Sequence, residues 1–157
     1  MACALALGYK FIPEDQKEHR DKLRKMLIEL IDAMQPYITE DGMYHDVIND
    51  PTTFAEVTAP LMHVYAVYTG IATGALSIER KNWADKVLSL VESHIDENGF
   101  VNNACSSPAF DRLGRSSEAQ AFYMLCYAAR RAVASGPIMT EPSCDSSLII
   151  ASKSTTS

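Results

Sequence analysis

The sequence EVTAPLMHVYA at residues 56–66 has a counterpart, EAQAFYMLCYA, at residues 118–128. The two stretches share Glu, Ala, Met, Tyr and Ala at the same offsets, and both are almost wholly apolar. Self-similarity at a fixed period is typical of architectures in which one supersecondary unit is stacked on the next. We therefore expect the fold to consist of copies of one unit.

The turns that precede these stretches also match each other. Residues 38–43 (ITEDGM) resemble residues 95–100 (IDENGF), and the two glycines, Gly42 and Gly99, lie 57 positions apart. An acidic or amide residue followed by glycine is a strong turn signal. Each unit therefore contains a helix, an acidic-Gly turn, a loop and a second, apolar helix, which predicts two stacked helical hairpins.

The first helix of each unit has one apolar face. Residues 14–35 carry apolar side chains at the i, i+3, i+4 spacing of an amphipathic helix, and Pro36 ends the pattern. A similar apolar face begins near Asn82 and extends to Ile95. Residues 2–9 predict one further short helix, apolar enough to be buried.

The second helix of each unit is apolar nearly all round, which favours burial on several sides. We expect the first of these helices to extend to Gly70 and the second to about Val133. Capping boxes are predicted at residues 53–56, with Thr53 as N-cap and Glu56 three positions later, and at residues 117–120. The predicted fold is all-α: outer amphipathic and inner apolar helices in a toroid, with the N-termini of the inner helices converging on one face.

The bulk composition excludes several classes of partner. The chain has 157 residues and a net charge of −6, without a basic patch interleaved with aromatics, so we expect no nucleic acid partner. No apolar run reaches the roughly 20 residues of a membrane span. The four cysteines form no C-x-x-C pair, which favours reduced thiols and a cytoplasmic location.

The chain is predicted to divide near residue 135. Residues 1–135 contain all the periodic segments and are predicted to form the helical domain. Residues 136–157 are rich in Ser and Thr and lack periodicity, so they are predicted to be disordered.

Two segments resemble one group of enzymes. Residues 41–51 (DGMYHDVINDP) with 54–59 (FAEVTA) are similar to the D-G-hydrophobic-W/Y-H-x-V-hydrophobic-D-x-P…E-T-S-A segment of glycoside hydrolase families 88 and 105. Residues 106–110 and 114–122 are similar to a later S-P…G-[TS]-S-x-E-[GA]-Q-A-F segment of the same families. These are the unsaturated glucuronyl and unsaturated rhamnogalacturonyl hydrolases. The resemblance implies an (α/α)6 barrel of six hairpins, of which about two and a half, the C-terminal part, are expected here.

The resemblance also implies a reaction. In these families an aspartate protonates the C4=C5 double bond of an unsaturated uronic acid, water adds at C5, and the hemiketal collapses to release the next sugar. No metal or cofactor is implied. The segment carrying that aspartate is expected upstream of Met1, so the catalytic residue of this chain stays unknown.

Candidate ligand-binding residues follow from the predicted rim of the toroid. The turn after Gly42 and the starts of the two inner helices provide six candidates for binding a sugar: Tyr44, His45, Glu56, Thr58, Glu118 and Gln120. Capping alone would also account for the two glutamates, and His63 is more simply a core histidine. The histidines lack the spacing of a metal site, so no metal is expected.

Two functions of different class remain open at this stage. The chain is either part of a glycoside hydrolase acting on unsaturated uronyl oligosaccharides, or a non-catalytic helical-repeat protein used for binding or assembly. A truncated gene product without a separate function is a third alternative. Because a part of a ring leaves inner helices uncovered, we expect a homo-oligomer or a partner chain. An in-frame continuation of the encoding DNA upstream of Met1 would favour the enzyme.

Overall fold

The computed structural model describes residues 1–106 and 110–135 and is mostly helical there. Five α-helices and four two-residue strands follow one another in these ranges, which confirms the predicted class. The helices are α1 (Ala2–Phe11), α2 (Lys17–Met34), α3 (Thr58–Ala72), α4 (Lys81–Glu92) and α5 (Ser117–Ala134). The strands are β1 (Tyr44–His45), β2 (Ala55–Glu56), β3 (Ala104–Cys105) and β4 (Leu113–Gly114). The predicted tail, residues 136–157, lies outside the described ranges, and the domain boundary stays a prediction.

The five helices form two layers. Helix α3 lies between α1 and α5, while α2 packs on α1 and α4 packs on α3. Ten residues of α3 are buried, on all of its sides, which explains why its sequence has no polar face. On α5 only Ala119 and Cys126 are buried, so one side of the inner layer is open.

The repeated turns adopt the same conformation. In residues 39–43 and again in residues 96–100, the first N–H donates to the last carbonyl and the glycine N–H donates to the first carbonyl. Gly42 and Gly99 both have positive φ, +79° and +83°. Each turn is followed by an antiparallel strand pair, β1–β2 in the first unit and β3–β4 in the second. The repeat seen in the sequence is therefore confirmed as a structural one.

The start of α3 differs from its prediction. Its N-cap is Val57, so Thr53 is not the cap and Glu56 is not at the third helical position. Thr53 instead closes the preceding loop, where its Oγ1 donates to the Asp50 carbonyl at 2.8 Å. Glu56 belongs to β2, and its carboxylate folds forward onto the first N–H groups of the helix. The capping role of Glu56 is thus present, but from the position before the N-cap.

The start of α5 is also shifted from its prediction by one residue. Ser116, not Ser117, is the N-cap, and its Oγ accepts hydrogen bonds from the N–H groups of Glu118 and Ala119. Glu118 therefore sits at the second helical position, whereas Glu56 precedes its helix. The two glutamates are not structurally equivalent, contrary to the alignment of the two stretches.

Candidate functional site

The two strand pairs bring the starts of α3 and α5 to one rim. The Val57 N–H donates to the Asn103 carbonyl at 3.0 Å, which ties the first loop to the second. Between them lies a pocket of about 250 Å³. Its lining residues are His45, Asp46, Glu56, Thr58, Ala59, Met62, Cys105, Phe110 and Glu118. Four of the six residues predicted from the sequence are in this list.

Glu56 is the fixed carboxylate of the pocket. Its side chain is buried and accepts from the N–H groups of Thr58 at 2.6 Å, Ala59 at 2.7 Å and Cys105 at 3.3 Å. The first two are free N–H groups at a helix start, where negative charge is favoured. The third belongs to the other strand pair, so Glu56 fastens the two repeats together. Its oxygens are engaged as acceptors, which suits a positioning residue better than a proton donor.

His45 lines the pocket, and one of its ring nitrogens is held by the adjacent loop. Its Nδ1 lies 2.7 Å from the Thr53 carbonyl, which can only accept, so Nδ1 carries the proton. In the neutral ring, Nε2 is then left as an acceptor. This geometry fixes the tautomer and makes His45 suitable for receiving a hydrogen bond from a ligand hydroxyl.

Two further carboxylates line the pocket and are exposed to solvent. Asp46 follows β1, Glu118 lies in the first turn of α5, and both are exposed. Neither side chain makes a hydrogen bond or ion pair to residues 1–106 or 110–135. Ionised carboxylates accept up to four hydrogen bonds each, so both can receive donors from a ligand.

Thr58 and Phe110 complete the lining. Thr58 is only 6% exposed, yet its Oγ1 has no hydrogen-bond partner in the described part of the chain. Phe110 is 53% exposed and has φ +55°, a left-handed conformation that is unfavourable for a bulky residue. Strain of this kind is concentrated at functional sites.

The field in the pocket is negative. Cys105 lies in the lining, and its pKa is raised by burial and then by the negative charges of Glu56, Asp46, Asp111 and Glu118. The thiol is therefore not activated as a nucleophile. Among residues 1–106 and 110–135, no lysine or arginine lines the pocket.

Tyr44 and Gln120 lie apart from the four pocket residues of the prediction. Tyr44 is 1% exposed, and its hydroxyl is 2.7 Å from Nδ1 of His63. The side-chain oxygen of Gln120 accepts from the Val101 N–H at 3.0 Å, and its NH₂ donates to the Gly99 carbonyl at 3.2 Å. Both side chains stabilise the loops behind the pocket.

His63 is a core histidine. It is 2% exposed and packs against the ring of Trp83, with centroids 4.6 Å apart. Burial, followed by the charge of Arg80, lowers its pKa to about 4, although Asp32 acts in the opposite direction. It is therefore neutral near pH 7 and lies outside the lining of the pocket.

Sequence reasoning missed several lining residues. Asp46, Met62, Cys105 and Phe110 are not among the six residues predicted from the sequence. Cys105 and Phe110 come from the loop of the second unit, which reaches the first unit through the Val57–Asn103 hydrogen bond. The repeat itself was the available signal, since it implies that consecutive loops are neighbours in space.

Within residues 1–106 and 110–135 there is no group of three or more His, Cys, Asp and Glu side chains that could hold a metal ion. None of the helices in these ranges has the length and apolar character needed to cross a membrane.

Comparison with known proteins assigns the family. No curated protein matches the chain significantly. Among solved structures, one described as a possible member of family GH105 from Salmonella enterica serovar Paratyphi A is 18% identical, with a TM-score of 0.71 over 83% of this chain and 37% of that one. A family 105 glycoside hydrolase from C. acetobutylicum is 17% identical, with a TM-score of 0.72 over 83% of this chain and 43% of that one.

A family 88 glycosyl hydrolase from Bacteroides vulgatus is 15% identical, with a TM-score of 0.68 over 83% of this chain and 40% of that one. At these identities the likeness shows the fold, and the chain spans about two-fifths of the length of these structures. The model of Glycosyl Hydrolase Family 88 matches residues 1–127. The chain therefore belongs to glycosyl hydrolase family 88.

Proposed function

We propose that this chain forms part of a glycoside hydrolase that acts on unsaturated uronyl oligosaccharides. The observation that carries the proposal is that the family match and the rim pocket coincide: both rim segments lie within residues 1–127. The proposed reaction is protonation of the C4=C5 double bond, addition of water at C5 and collapse of the hemiketal, which releases the neighbouring sugar. The proposed location is the cytoplasm, on the ground of the cysteine pattern of the sequence.

The pocket residues have binding roles in this proposal. His45 and Glu118 are proposed to hold sugar hydroxyls, and Thr58 is proposed to lie against the bound sugar, while Glu56 keeps the two rim loops together. A proton donor must lie within about 2.6–3.2 Å of the carbon it protonates. Both oxygens of the Glu56 carboxylate already accept hydrogen bonds, so Glu56 does not fit the role of proton donor. The acid is therefore proposed to come from hairpins outside this chain.

The test is an assay with an unsaturated uronyl disaccharide, followed by the ultraviolet absorbance of its conjugated double bond. Purified chain alone is expected to give little or no turnover, because general acid catalysis, typically worth about 10²–10⁴-fold, is missing. Turnover is expected when the chain is combined with the remaining hairpins of a longer family member. Robust turnover by the chain alone, abolished by Asp46→Asn, would instead place the acid in this chain. Absence of turnover in every combination would refute the hydrolase proposal.

A second candidate is a non-catalytic binding or assembly module. The specific observation in its favour is the open side of α5, where Met124 is 66% exposed and Leu125 is 41% exposed. Next to them, a groove of about 220 Å³ runs between α1, α3 and α5 and is lined largely by Ala and other small or apolar residues. A chain that associates through this face and remains inactive in every combination would support this candidate.

A further inference from the structure

The turn of the second repeat has a chemically reactive dipeptide at its tip. Asn98 is followed by Gly99, and none of the other four asparagines of the chain precedes a glycine. Both residues of the pair are exposed, and Gly99 has φ +83°. Attack of a backbone nitrogen on the preceding side-chain amide is easiest at such a pair, because glycine has no Cβ to obstruct the approach.

We propose that Asn98 is a site of spontaneous deamidation, with isoaspartate and aspartate as the products. The Gly99 nitrogen loses its proton and attacks Cγ of Asn98, so that an N–Cγ bond forms, the Cγ–Nδ2 bond breaks and ammonia leaves. Water then opens the resulting cyclic imide. Cleavage between the nitrogen and Cγ gives aspartate, and cleavage between the nitrogen and the α-carbonyl carbon gives isoaspartate. The only co-reactant is water.

The surroundings of Asn98 leave its side chain accessible to this reaction. The side-chain amide has no hydrogen-bond partner among residues 1–106 and 110–135, and the backbone N–H of Asn98 donates to Oδ1 of Asp96 at 3.0 Å. No atom of the described residues lies within 4 Å of the place that a Cβ of Gly99 would occupy. Water therefore reaches both the attacking nitrogen and the imide.

The other asparagines lack one or more of these features. Asn102 and Asn103 are held by hydrogen bonds from their side-chain amides. Asn82 lies within α4 and precedes a tryptophan, and Asn49 precedes an aspartate, so a side chain stands on the attacking residue in both cases.

One hydrogen bond opposes the reaction in the folded chain. The Gly99 N–H donates to the Asp96 carbonyl at 2.9 Å, so the turn must open before this nitrogen can attack. Opening of an exposed turn is a local event, with a smaller free energy than global unfolding. The rate at Asn98 should therefore be lower in the folded chain than in urea, but above the rates at the other asparagines.

The first repeat provides an internal comparison. The corresponding pair there is Asp41–Gly42, so an aspartate is already accommodated at this position of the turn. Gly42 is buried, and a Cβ there would lie 2.6 Å from Cβ of Leu90. Asp–Gly pairs form the same cyclic imide, but the packing around Gly42 should keep Asp41 unchanged over the same time.

Isoaspartate at position 98 should loosen the loop, whereas aspartate should not. Oδ1 of Asp96 accepts from the N–H groups of Asn98 and Phe100, and the Asp96 N–H donates to the Phe100 carbonyl, all at 3.0 Å. Isoaspartate adds a methylene to the main chain between these groups, so the bonds cannot all be kept. The hydrogen bond from Gln120 of α5 to the Gly99 carbonyl would be weakened with them.

The test is ageing of the whole purified chain at pH 7 and at pH 9, followed by tryptic peptide mass spectrometry. Trypsin releases residues 87–112 as one peptide, and fragment ions separate Asn98 from Asn102 and Asn103. Deamidation raises the mass, and labelling with an L-isoaspartyl methyltransferase identifies isoaspartate. We expect conversion at Asn98 to be roughly tenfold faster than at any other asparagine, because only this one precedes glycine. Conversion should be faster at pH 9, where more of the attacking nitrogen is deprotonated.

Variants test the site and its consequence. Asn98→Gln should abolish the isoaspartate signal, because the longer side chain disfavours ring closure, and the matched control Asn82→Gln should leave it unchanged. Asn98→Asp should melt close to the wild type, whereas the aged fraction rich in isoaspartate should melt at a lower temperature.

Three results would overturn the inference. The first is conversion at Asn98 no faster than at the other asparagines of the folded chain, and the second is an isoaspartate yield that Asn98→Gln leaves unchanged. The third is conversion in urea alone, which would show that the folded turn does not open. An isoaspartate fraction that melts like the wild type would contradict the loosening of the loop. None of these results depends on turnover, so this inference and the hydrolase proposal can each fail alone.

Discussion

Glu56 shows how one side chain can define a rim. Its carboxylate takes the place of a Ser or Thr cap for α3 and, through the Cys105 N–H, also holds the second strand pair. The same residue therefore determines where a helix begins and how two repeats face each other. The pocket lies where the start of α3 and the second strand pair are both bound to this one carboxylate.

Glu56→Gln is expected to destabilise the protein by about 2 kcal/mol, because a charge-assisted cap is lost and an amide N–H₂ is turned toward backbone N–H groups. Urea denaturation at pH 7 measures the change. Glu118→Gln is the matched control. Because the Glu118 carboxylate is exposed, this substitution should change the free energy of unfolding by less than about 0.5 kcal/mol. Equal effects of the two substitutions would contradict the role given to Glu56.

The two turn glycines provide a second matched pair. Both have positive φ, so an alanine at either costs about 1–2 kcal/mol. A Cβ at Gly42 would also lie 2.6 Å from Cβ of Leu90, whereas no atom of the described residues lies within 4 Å of one at Gly99. Gly42→Ala should therefore lower the melting temperature clearly more than Gly99→Ala, by a difference equivalent to about 1 kcal/mol or more. A larger effect at Gly99 would show that the turns are packed differently.

At the scale of elements, a charged cluster links three helices. Asp85 of α4 accepts from Tyr68 of α3 at 2.6 Å and pairs with Lys81 at 2.5 Å and with Arg130 of α5 at 3.0 Å. Burial alone would raise the pKa of Asp85, but the hydrogen bonds from Lys81 and Tyr68 and the charge of Arg130 outweigh it and hold the pKa below its usual range. The cluster fastens the outer helix to both inner neighbours.

Asp85→Asn should reduce the free energy of unfolding by about 1–2 kcal/mol at pH 7, allowing for the partial exposure of the cluster. Because the folded-state pKa is lowered, the stabilisation is present above the ordinary Asp pKa of about 3.9 and is lost as pH falls through the folded value. Wild type and variant should therefore converge in acid. Asp111→Asn, which removes an exposed pair with Arg112, is the control and should have little effect at any pH.

Helices with a clear local pattern were predictable, and their junctions were not. The 3.6-residue period predicted α2, and the apolar stretch predicted the end of α3 to within two residues. The predicted N-cap of α3, Thr53, lies four positions before the observed one, Val57. The cap of α3 was missed because its carboxylate precedes the helix and is fixed partly by Cys105, which is 49 positions away. No local rule contains that contact.

The candidate site was predictable in the same uneven way. Four predicted residues line the pocket: His45, Glu56, Thr58 and Glu118. They were predictable because the resemblance and the helix starts both indicated the rim. Tyr44 was assigned to the rim as well, but an alternating stretch does not reveal which face is buried. The hydrogen-bond partner of Tyr44 is His63, which lies in the core.

At the scale of the whole molecule, the inner layer is covered on one flank only. The open side of α5 exposes Met124 and Leu125, and contiguous apolar surface of this kind usually marks an interface. We expect concentration-dependent association in sedimentation velocity. Met124→Glu should weaken it without lowering the melting temperature, since this side chain is 66% exposed. A stable monomer at high concentration would contradict this expectation.

The burial of α3 on all sides has a consequence for how the chain can be divided. In ordinary repeat arrays each unit touches only its neighbours, so ends can fray or be removed with a gradual loss of stability. Here α3 is the shared neighbour of α1, α4 and α5, and most of its residues are sealed by them. Removal of either flank would place an apolar helix in water, so residues 1–135 should melt as one cooperative unit. A single protease cut between α3 and α5 would then release no folded hairpin, only an unfolded chain.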